Sequence, residues 1–480
     1  MAEATAKKDF WDGPLTRSKV TSDDTTMPEI IFGYLLGPFG ALLSSGIFTS
    51  FLNKYFTDVL LLDTSFLSTL QVVSTVLIVA ANLIVGQLIE HTHCLAGKAR
   101  PWVLLSALTL SVASVLMFIV PFEGVAKMVW IAIAYNLYYA VAYPIYNTAN
   151  STLIPLSTRN SNQRGTLASM TNIAGLGVMG CGSMIFPILV SNVMGNDATM
   201  WLLVMAAVAI FSAITIYLQY SFTRERVTEE SFNVASDDEK PAGAPPLGTQ
   251  LKAVVSEKWW WIVMLFYLGF QWSGAIKNGS MSYYCEWVLG TGDIDWGLCQ
   301  TILSILGAIP MAVAAVFVVP LCNKFGKKIV VGGFMALGAV GGVIAWFGGT
   351  NIVIVGIGIA LKCLGSSPAC YMILAMLADV IDHIEFTSGI RTDGLTMSIY
   401  SSLMVAATPI MNAVFMAIIG AAGYDASAAV QTAVTQNAIS VSYILIETIA
   451  YALCAVLIMF WTVEKNLPEE QAAIAARKNQ

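Results

Sequence analysis

Charge is what this sequence has least of: Asp, Glu, Lys and Arg make up 11% of its 480 residues, against about a quarter in soluble globular chains. There are three histidines, and the eight cysteines are scattered singly with no CxxC pair. Neither a zinc site nor a disulfide framework is therefore expected. Cys285 and Cys299 flank one predicted external loop and are the one pair placed to join, although lone membrane cysteines usually serve as small apolar residues. No Walker motif occurs, which excludes drive by ATP. GLGVMGCG (Gly175–Gly182) lies inside an apolar run with no strand before it, so it is no phosphate loop; its small residues suit close helix packing. No cluster of His, Asp or Glu converges within an apolar run, so no enzyme site is expected. Nor is a cofactor, a metal or a nucleic-acid partner.

What is abundant is apolar surface. Hydrophobic residues make up 57% of the chain and the mean hydropathy is +0.72. They come in runs of roughly 20 residues, the length that crosses about 30 Å of hydrocarbon. Such runs fall at 29–52, 66–90, 101–121, 126–150, 166–191, 198–221, 259–285, 298–322, 329–348, 352–378, 395–420 and 439–463. This predicts an all-α polytopic membrane protein of twelve helices. The stretch RERVTEESFNVASDDEKPAGAPPLG (Arg224–Gly248) is charged and rich in Pro and Gly, and reads as a linker. It divides the chain into a tail (1–28), a six-helix bundle (29–221), a linker (222–258), a second six-helix bundle (259–463) and a tail (464–480). The polar first 27 residues do not read as a cleavable signal, so the first apolar run is expected to direct insertion. WWW (Trp259–Trp261) reads as an interface belt.

Basic residues set the expected orientation. With both termini cytoplasmic, 20 of the 24 Lys and Arg fall on that side; Lys54 and Lys127 lie outside, and Lys277 and Lys362 lie within the membrane. That bias follows the positive-inside rule and suits the inner (cytoplasmic) membrane. Ala378–Gly394, ADVIDHIEFTSGIRTDG, reads as a charged cytoplasmic loop between two apolar helices. His91, His93 and His383 also fall in predicted loops and read as solvated surface.

The two halves repeat. GKARPW (Gly97–Trp102) and NKFGKK (Asn323–Lys328) follow the second helix of each half, and NQRGTL (Asn162–Leu167) and RTDGLT (Arg391–Thr396) open the fifth. Two parallel six-helix repeats with such loops describe the major facilitator architecture, whose substrate site lies near the midplane between the halves. TDV (Thr57–Val59), GKARPW, YY (Tyr283–Tyr284) and the AD-x-x-D…G-x-R-x-x-G pattern of 378–394 resemble the glycoside–pentoside–hexuronide:cation symporters, whose best-known member is melibiose permease. The resemblance runs from Pro28 to Lys465. It implies alternating-access transport of a sugar-like solute, coupled in most members to sodium or protons.

The family's chemistry is largely replaced. Where sodium-coupled members carry two helix 2 aspartates, this chain has Ile78 and Asn82. The sugar-contacting aspartate of helix 1 falls at Leu42, and that of helix 4 at Asn147, with Tyr143 retained. The helix 4 tryptophan becomes Ser151, the helix 5 arginine Asn172, the helix 10 tryptophan Cys370 and the helix 11 lysine Val405. A sodium ion needs several oxygen ligands including carboxylate, so sodium coupling is not expected, while a co-transported proton stays open. Asn82, Asn147, Asn150 and Ser151 are suited either to ligand hydroxyls or to holding helices together. In the second half Gln271, Lys277, Asn278, Lys362, Cys370 and Ser401 complete the candidate substrate residues. Lys277 and Lys362 read either as ligands for an anion, such as a sugar acid, or as structural partners of Glu447. The candidate cytoplasmic gate is Arg100, Asp379, Asp382, Arg391 and Asp393. The alternatives to coupled transport are an uncoupled facilitator for a neutral or apolar molecule and a non-transporting sensor.

Overall fold

The computed structural model describes residues 13, 16–92, 94, 96–158, 160–233, 247–290, 294–390 and 392–478. Among these, all regular structure is helical. Twelve long helices follow the twelve apolar runs: α1 (Glu29–Val59), α2 (Thr64–Ile89), α3 (Arg100–Leu116), α4 (Gly124–Ser157), α5 (Gln163–Met194), α6 (Ala198–Ser221), α7 (Lys258–Tyr284), α8 (Trp296–Phe325), α9 (Lys327–Phe347), α10 (Ile352–Ser388), α11 (Asp393–Ala421) and α12 (433–458). Ten of them are long and apolar enough to cross a membrane. Of the other two, α3 is short, and α7 has the length but carries Gln271, Lys277 and Asn278.

One expectation fails at the end of α10. The charged segment read as a loop continues the helix to Ser388, putting Asp379, Asp382, His383 and Glu385 on its last turns. The reason is apolar spacing: Met376, Leu377, Val380, Ile381 and Ile384 recur at three and four residues and are all buried. Gly389, at φ 71°, ends the helix in the left-handed conformation and donates its N–H to the Glu385 carbonyl. His383 is accordingly no solvated loop residue. It sits half-buried, with Nδ1 2.8 Å from Glu470 of the short C-terminal helix Leu467–Lys478. The linker is also more ordered than its composition implies, since Arg226–Asn233 and Leu247–Val255 are helical.

The chain forms two compact units. The first comprises Met1–Leu52, Val73–Phe186 and Val193–Glu239; the second comprises Asn53–Val72, Pro187–Asn192 and Lys240–Gln480. In the first, α3 packs on α6 and α4. In the second, α10 packs on α9 and α8, and α7 on α11 and α12.

Each unit ties down one helix start with a distant carboxylate. In the first, Glu225 accepts from the backbone N–H groups of Lys98, Ala99 and Arg100, each at 2.8 Å, and from the Thr228 hydroxyl at 2.7 Å. These amides have no partner inside α3, and the carboxylate meets the positive end of its dipole. In the second, Glu464 accepts from the backbone of Lys327 at 2.8 Å and Lys328 at 3.4 Å, at the start of α9. The two carboxylates lie in matching sequences, Thr223-Arg224-Glu225-Arg226 and Thr462-Val463-Glu464-Lys465. This is a further internal repeat, beyond the loops.

Close backbone approach is concentrated in α9 and α10. A Cβ on Gly341 would lie 2.7 Å from the Gly358 carbonyl oxygen, and one on Gly365 would run into the Gly338 backbone. In the Gly175–Gly182 run the expected close packing holds for Gly182, whose Cβ would lie 2.7 Å from the Gly46 oxygen, and for Gly177 against Phe39. It does not hold for Gly175 or Gly180, which face open space. All eight cysteines are free, and Cys285 and Cys299 are both buried.

Gly97 is constrained twice over. Its φ is 112°, and a side chain there would collide with the Glu225 carboxylate. Gly97→Ala should lower stability by about 1–3 kcal/mol, whereas Gly175→Ala should be neutral or gain about 0.5–1 kcal/mol. Thermal unfolding of the two purified variants checks this; equal melting temperatures would remove the proposed constraint.

Candidate functional site

The polar centre of the second unit begins with a wide turn in α12. At Val441–Leu445 the helix carries an extra residue, and the Ile446 N–H reaches back five residues to the Val441 carbonyl. Lys362, from the middle of α10, donates to the Tyr443 carbonyl within this turn at 3.4 Å, and its ammonium lies 5.6 Å from the Tyr443 ring centre. One turn on, Glu447 receives that lysine at 2.5 Å. Glu447 also accepts from the Tyr451 hydroxyl at 2.8 Å. Tyr443, Glu447 and Tyr451, four residues apart, thus line one stripe of α12. Lys277, on α7, stands 3.8 Å from the second oxygen of Glu447. Lys362 and Glu447 are sealed, each side chain 1% exposed, while that of Lys277 is 21% exposed. The geometry therefore realises the pairing reading for Lys362, and leaves Lys277 at the rim of the same cluster.

Around Lys277, α7 divides sharply. Ser273, Ala275, Ile276 and Gly279 are buried, whereas Gln271, Gly274, Lys277 and Asn278 are half-exposed. Among the described residues neither the Gln271 nor the Asn278 amide has a hydrogen-bond partner. Cys370 on α10 and Ser401 on α11 are exposed, and Val405 is half-buried.

In the first unit, Tyr143 and Asn147 sit half-exposed on α4 just past a second wide turn, where the Tyr143 N–H reaches the Tyr138 carbonyl. Ser151 is exposed, and its hydroxyl returns to the Asn147 carbonyl at 2.8 Å. Asn82 likewise spends its amide inside its own helix, on the Ile78 carbonyl at 2.8 Å, and Ile78 itself is buried. Asn150 is buried and accepts from Gln219 at 2.7 Å, the helix-binding role. Asn172 is exposed on α5, and Leu42 is half-buried on α1.

Three of the residues read as a cytoplasmic gate, Arg100, Asp379 and Asp382, have partners within their own units. Arg100 is buried, donates to the Ala96 and Tyr220 carbonyls at 3.1 and 3.0 Å, and stacks 4.6 Å from the Tyr220 ring centre. Asp379 pairs with Lys327 at 2.6 Å, and Asp382 accepts from Gln471 at 2.9 Å. Asp393 opens α11. Arg391 lies outside the described residues, as does His93. His91 is exposed, its Nδ1 2.8 Å from the Gln87 carbonyl.

A cluster that sequence reasoning missed surrounds the Lys54 end of α1, inside the second unit. Lys54 is buried between Asp58, at 2.7 Å, and Glu286, with which it forms a short ion pair, and stacks against Tyr283 and Trp296. Asp58 further accepts from Thr57 at 2.7 Å and from Tyr424 at 2.6 Å. Burial, and then the negative charge of Asp58, push the Tyr424 hydroxyl far above its usual range, so it stays protonated and donates. The i,i+4 spacing of Lys54 and Asp58 was the available signal; Glu286 and Tyr424 come from distant segments.

With this geometry in hand, comparison with known sequences places most of the chain. The profile of the family described as "MFS/sugar transport protein" matches residues 33–465. The chain belongs to that family. As a family member it is a membrane transporter and not an enzyme, and its likeness to the glycoside–pentoside–hexuronide symporters holds. This MFS/sugar transport protein is 27% identical to an isoprimeverose transporter of Lactiplantibacillus pentosus, over 94% of its own chain and 91% of the relative. It is 22% identical to a glucuronide carrier protein homolog of Escherichia coli (strain K12), covering 93% and 95%. It is 24% identical to a putative 2,3-dihydroxypropane-1-sulfonate exporter of the same organism, covering 78% and 81%. Its fold is that of the nucleoside transporter NupG, with a TM-score of 0.60 and 11% identity over 91% of this chain and 99% of that one. A bacterial homologue of the peptide transporters PepT1 and PepT2 gives 0.57 at 14% identity, covering 94% and 100%.

The unequal distances at Glu447 have an energetic consequence for this transporter. Removing the near lysine leaves a buried carboxylate undercompensated, which costs about 3–5 kcal/mol. Lys362→Met should therefore lower the melting temperature strongly, and adding Glu447→Gln should recover most of the loss. Lys277→Gln should cost much less, because Glu447 keeps Lys362 and Tyr451. Equal losses for the two lysines, measured by thermal unfolding in detergent, would show that the distances do not rank the pairs.

Proposed function

We propose that this chain is a secondary transporter that moves a sugar-like or other small hydroxylated solute across the cytoplasmic membrane by alternating access. The observation that carries the reading is the set of half-exposed polar groups on otherwise apolar helices: Tyr143 and Asn147 on α4, and Gln271, Lys277 and Asn278 on α7. Polar groups at membrane depth are costly unless they face water or a ligand. Asn82, Ser151, Asn172, Lys362, Cys370 and Ser401 complete the proposed substrate residues, with Asn82 and Lys362 acting through their neighbours. Both termini lie on the cytoplasmic side in this reading, supported by the Lys and Arg distribution. Arg100, Asp379, Asp382, Arg391 and Asp393 then lie at the cytoplasmic ends of the helices, where closing and opening require charged groups to change partners. The proposed segments are a tail (1–28), two six-helix halves (29–221 and 259–463), a linker (222–258) and a second tail (464–480).

Sodium is not the coupling ion in this proposal. Ile78 is buried and apolar, and the Asn82 amide is engaged in its own helix. A hard cation recovers its hydration from several oxygens that usually include carboxylate, and these two positions supply no carboxylate. A co-transported proton stays open. Uptake into proteoliposomes, with isoprimeverose, D-glucuronate and 2,3-dihydroxypropane-1-sulfonate as probes, tests both parts. The expected result is uptake of at least one probe, unchanged by a sodium gradient. A several-fold sodium stimulation would sink the coupling statement, and failure of all three probes to cross would sink the transport reading.

A further inference from the structure

Three charges meet at the centre of the second unit, and they do not cancel. Lys362 and Glu447 form a closed pair at 2.5 Å, with Tyr451 on one carboxylate oxygen and the Tyr443 carbonyl on the lysine. Lys277 adds a second positive charge at 3.8 Å, too far for a hydrogen bond. Among the described residues its ammonium has no nearer partner, and its side chain is 21% exposed. A partly exposed lysine side chain near the middle of a membrane helix does not face hydrocarbon cheaply. The face of α7 that bears it is therefore suited to water or a polar ligand. The same face presents Gln271, Gly274 and Asn278 at helical spacing, with neither amide partnered among the described residues. At Gly274 a Cβ would meet nothing within 4 Å, so there is open space directly beside the lysine.

We infer that Lys277 is an anion subsite and that the transported solute is a hydroxylated monoanion. Its carboxylate or sulfonate sits on the Lys277 ammonium over Gly274, and its hydroxyls reach Gln271 and Asn278. This rests on the transport reading above and gives it a substrate class. The count of charges selects a monoanion: one negative charge neutralises the cluster, a neutral sugar leaves the excess uncompensated, and a dianion reverses it. Lys362 and Glu447 are positioning residues. Glu447 anchors Lys277 from the sealed side, and Lys362 keeps Glu447 from cancelling it fully.

The test uses the full-length purified protein and two matched pairs of probes: D-glucuronate with D-glucose, and 2,3-dihydroxypropane-1-sulfonate with glycerol. Binding is read by tryptophan fluorescence and by shift of the melting temperature. The charged member of at least one pair should bind and its neutral partner should not; which pair responds separates carboxylate from sulfonate. Lys277→Gln should weaken that binding by roughly 10- to 100-fold, the loss of one charge-assisted hydrogen bond. Lys277→Arg should hold it within a few-fold. Gly274→Leu, which leaves all three charges in place, should abolish it by filling the open space, so the inference stays testable if Lys277→Gln unfolds. Equal binding of charged and neutral partners, unchanged affinity in Lys277→Gln, or no binding by either pair would overturn it. Uptake of a neutral probe such as isoprimeverose with Lys277 dispensable would overturn the anion subsite and leave the transport reading standing.

Discussion

A carboxylate sealed in a membrane bundle has to be compensated within hydrogen-bond reach, and Glu447 shows how three helices are arranged to do it. Lys362 from α10, Lys277 from α7 and Tyr451 from α12 itself converge on its two oxygens. The wide turn at Val441–Leu445 supplies the carbonyl that shares Lys362. Buried ion pairs are weak sources of net stability, and their better attested effect is to fix which groups face one another. Here the fixed arrangement brings α7, α10 and α12 together, and sets the half-buried Lys277 beside Gln271 and Asn278 of α7.

The same logic recurs at the ends of the helices in another form. Glu225 and Glu464 each lie just past the last helix of a six-helix set and turn back to hold the start of its third helix. The carboxylate answers both the unsatisfied amides and the dipole of the helix it meets. A helix start tied in this way moves with the unit that owns it. The loops GKARPW and NKFGKK are thus parts of their own units as much as connections between helices. Arg100 reinforces this, since its guanidinium is spent on carbonyls and a ring of the first unit.

Helix number and order were legible because hydrocarbon imposes a length that shows directly as apolar runs. The end of α10 was misread because charge was weighed above spacing, although Met376, Val380, Ile384 and their neighbours carry the helical period through the charged stretch. Glu447 was recognised as a possible partner of the lysines. Its unequal distances to Lys277 and Lys362 were not legible, since they depend on the rotation of three helices, one of them shifted by a wide turn. The Lys54 cluster was only half visible, because Asp58 follows at one helical turn while Glu286 and Tyr424 are hundreds of residues away in sequence. The Gly175–Gly182 run gave a true signal at Gly182 and a false one at Gly175, since composition does not say which face of α5 meets a neighbour.

The wide turns in α4 and α12 also bear on how sequence length maps onto shape. Each residue of a regular helix advances the side-chain direction by about 100°, so a one-residue deletion ordinarily swings everything beyond it to another face. A wide turn already holds one residue in surplus. Losing a residue from within 441–445 would let α12 close into a regular helix while Glu447 kept its bearing toward Lys362; losing one from 448–450 would turn Tyr451 away from Glu447. Val441–Leu445 is therefore a place in α12 where chain length can change without parting Glu447 from Tyr451, and the turn before Tyr143 plays the same part in α4.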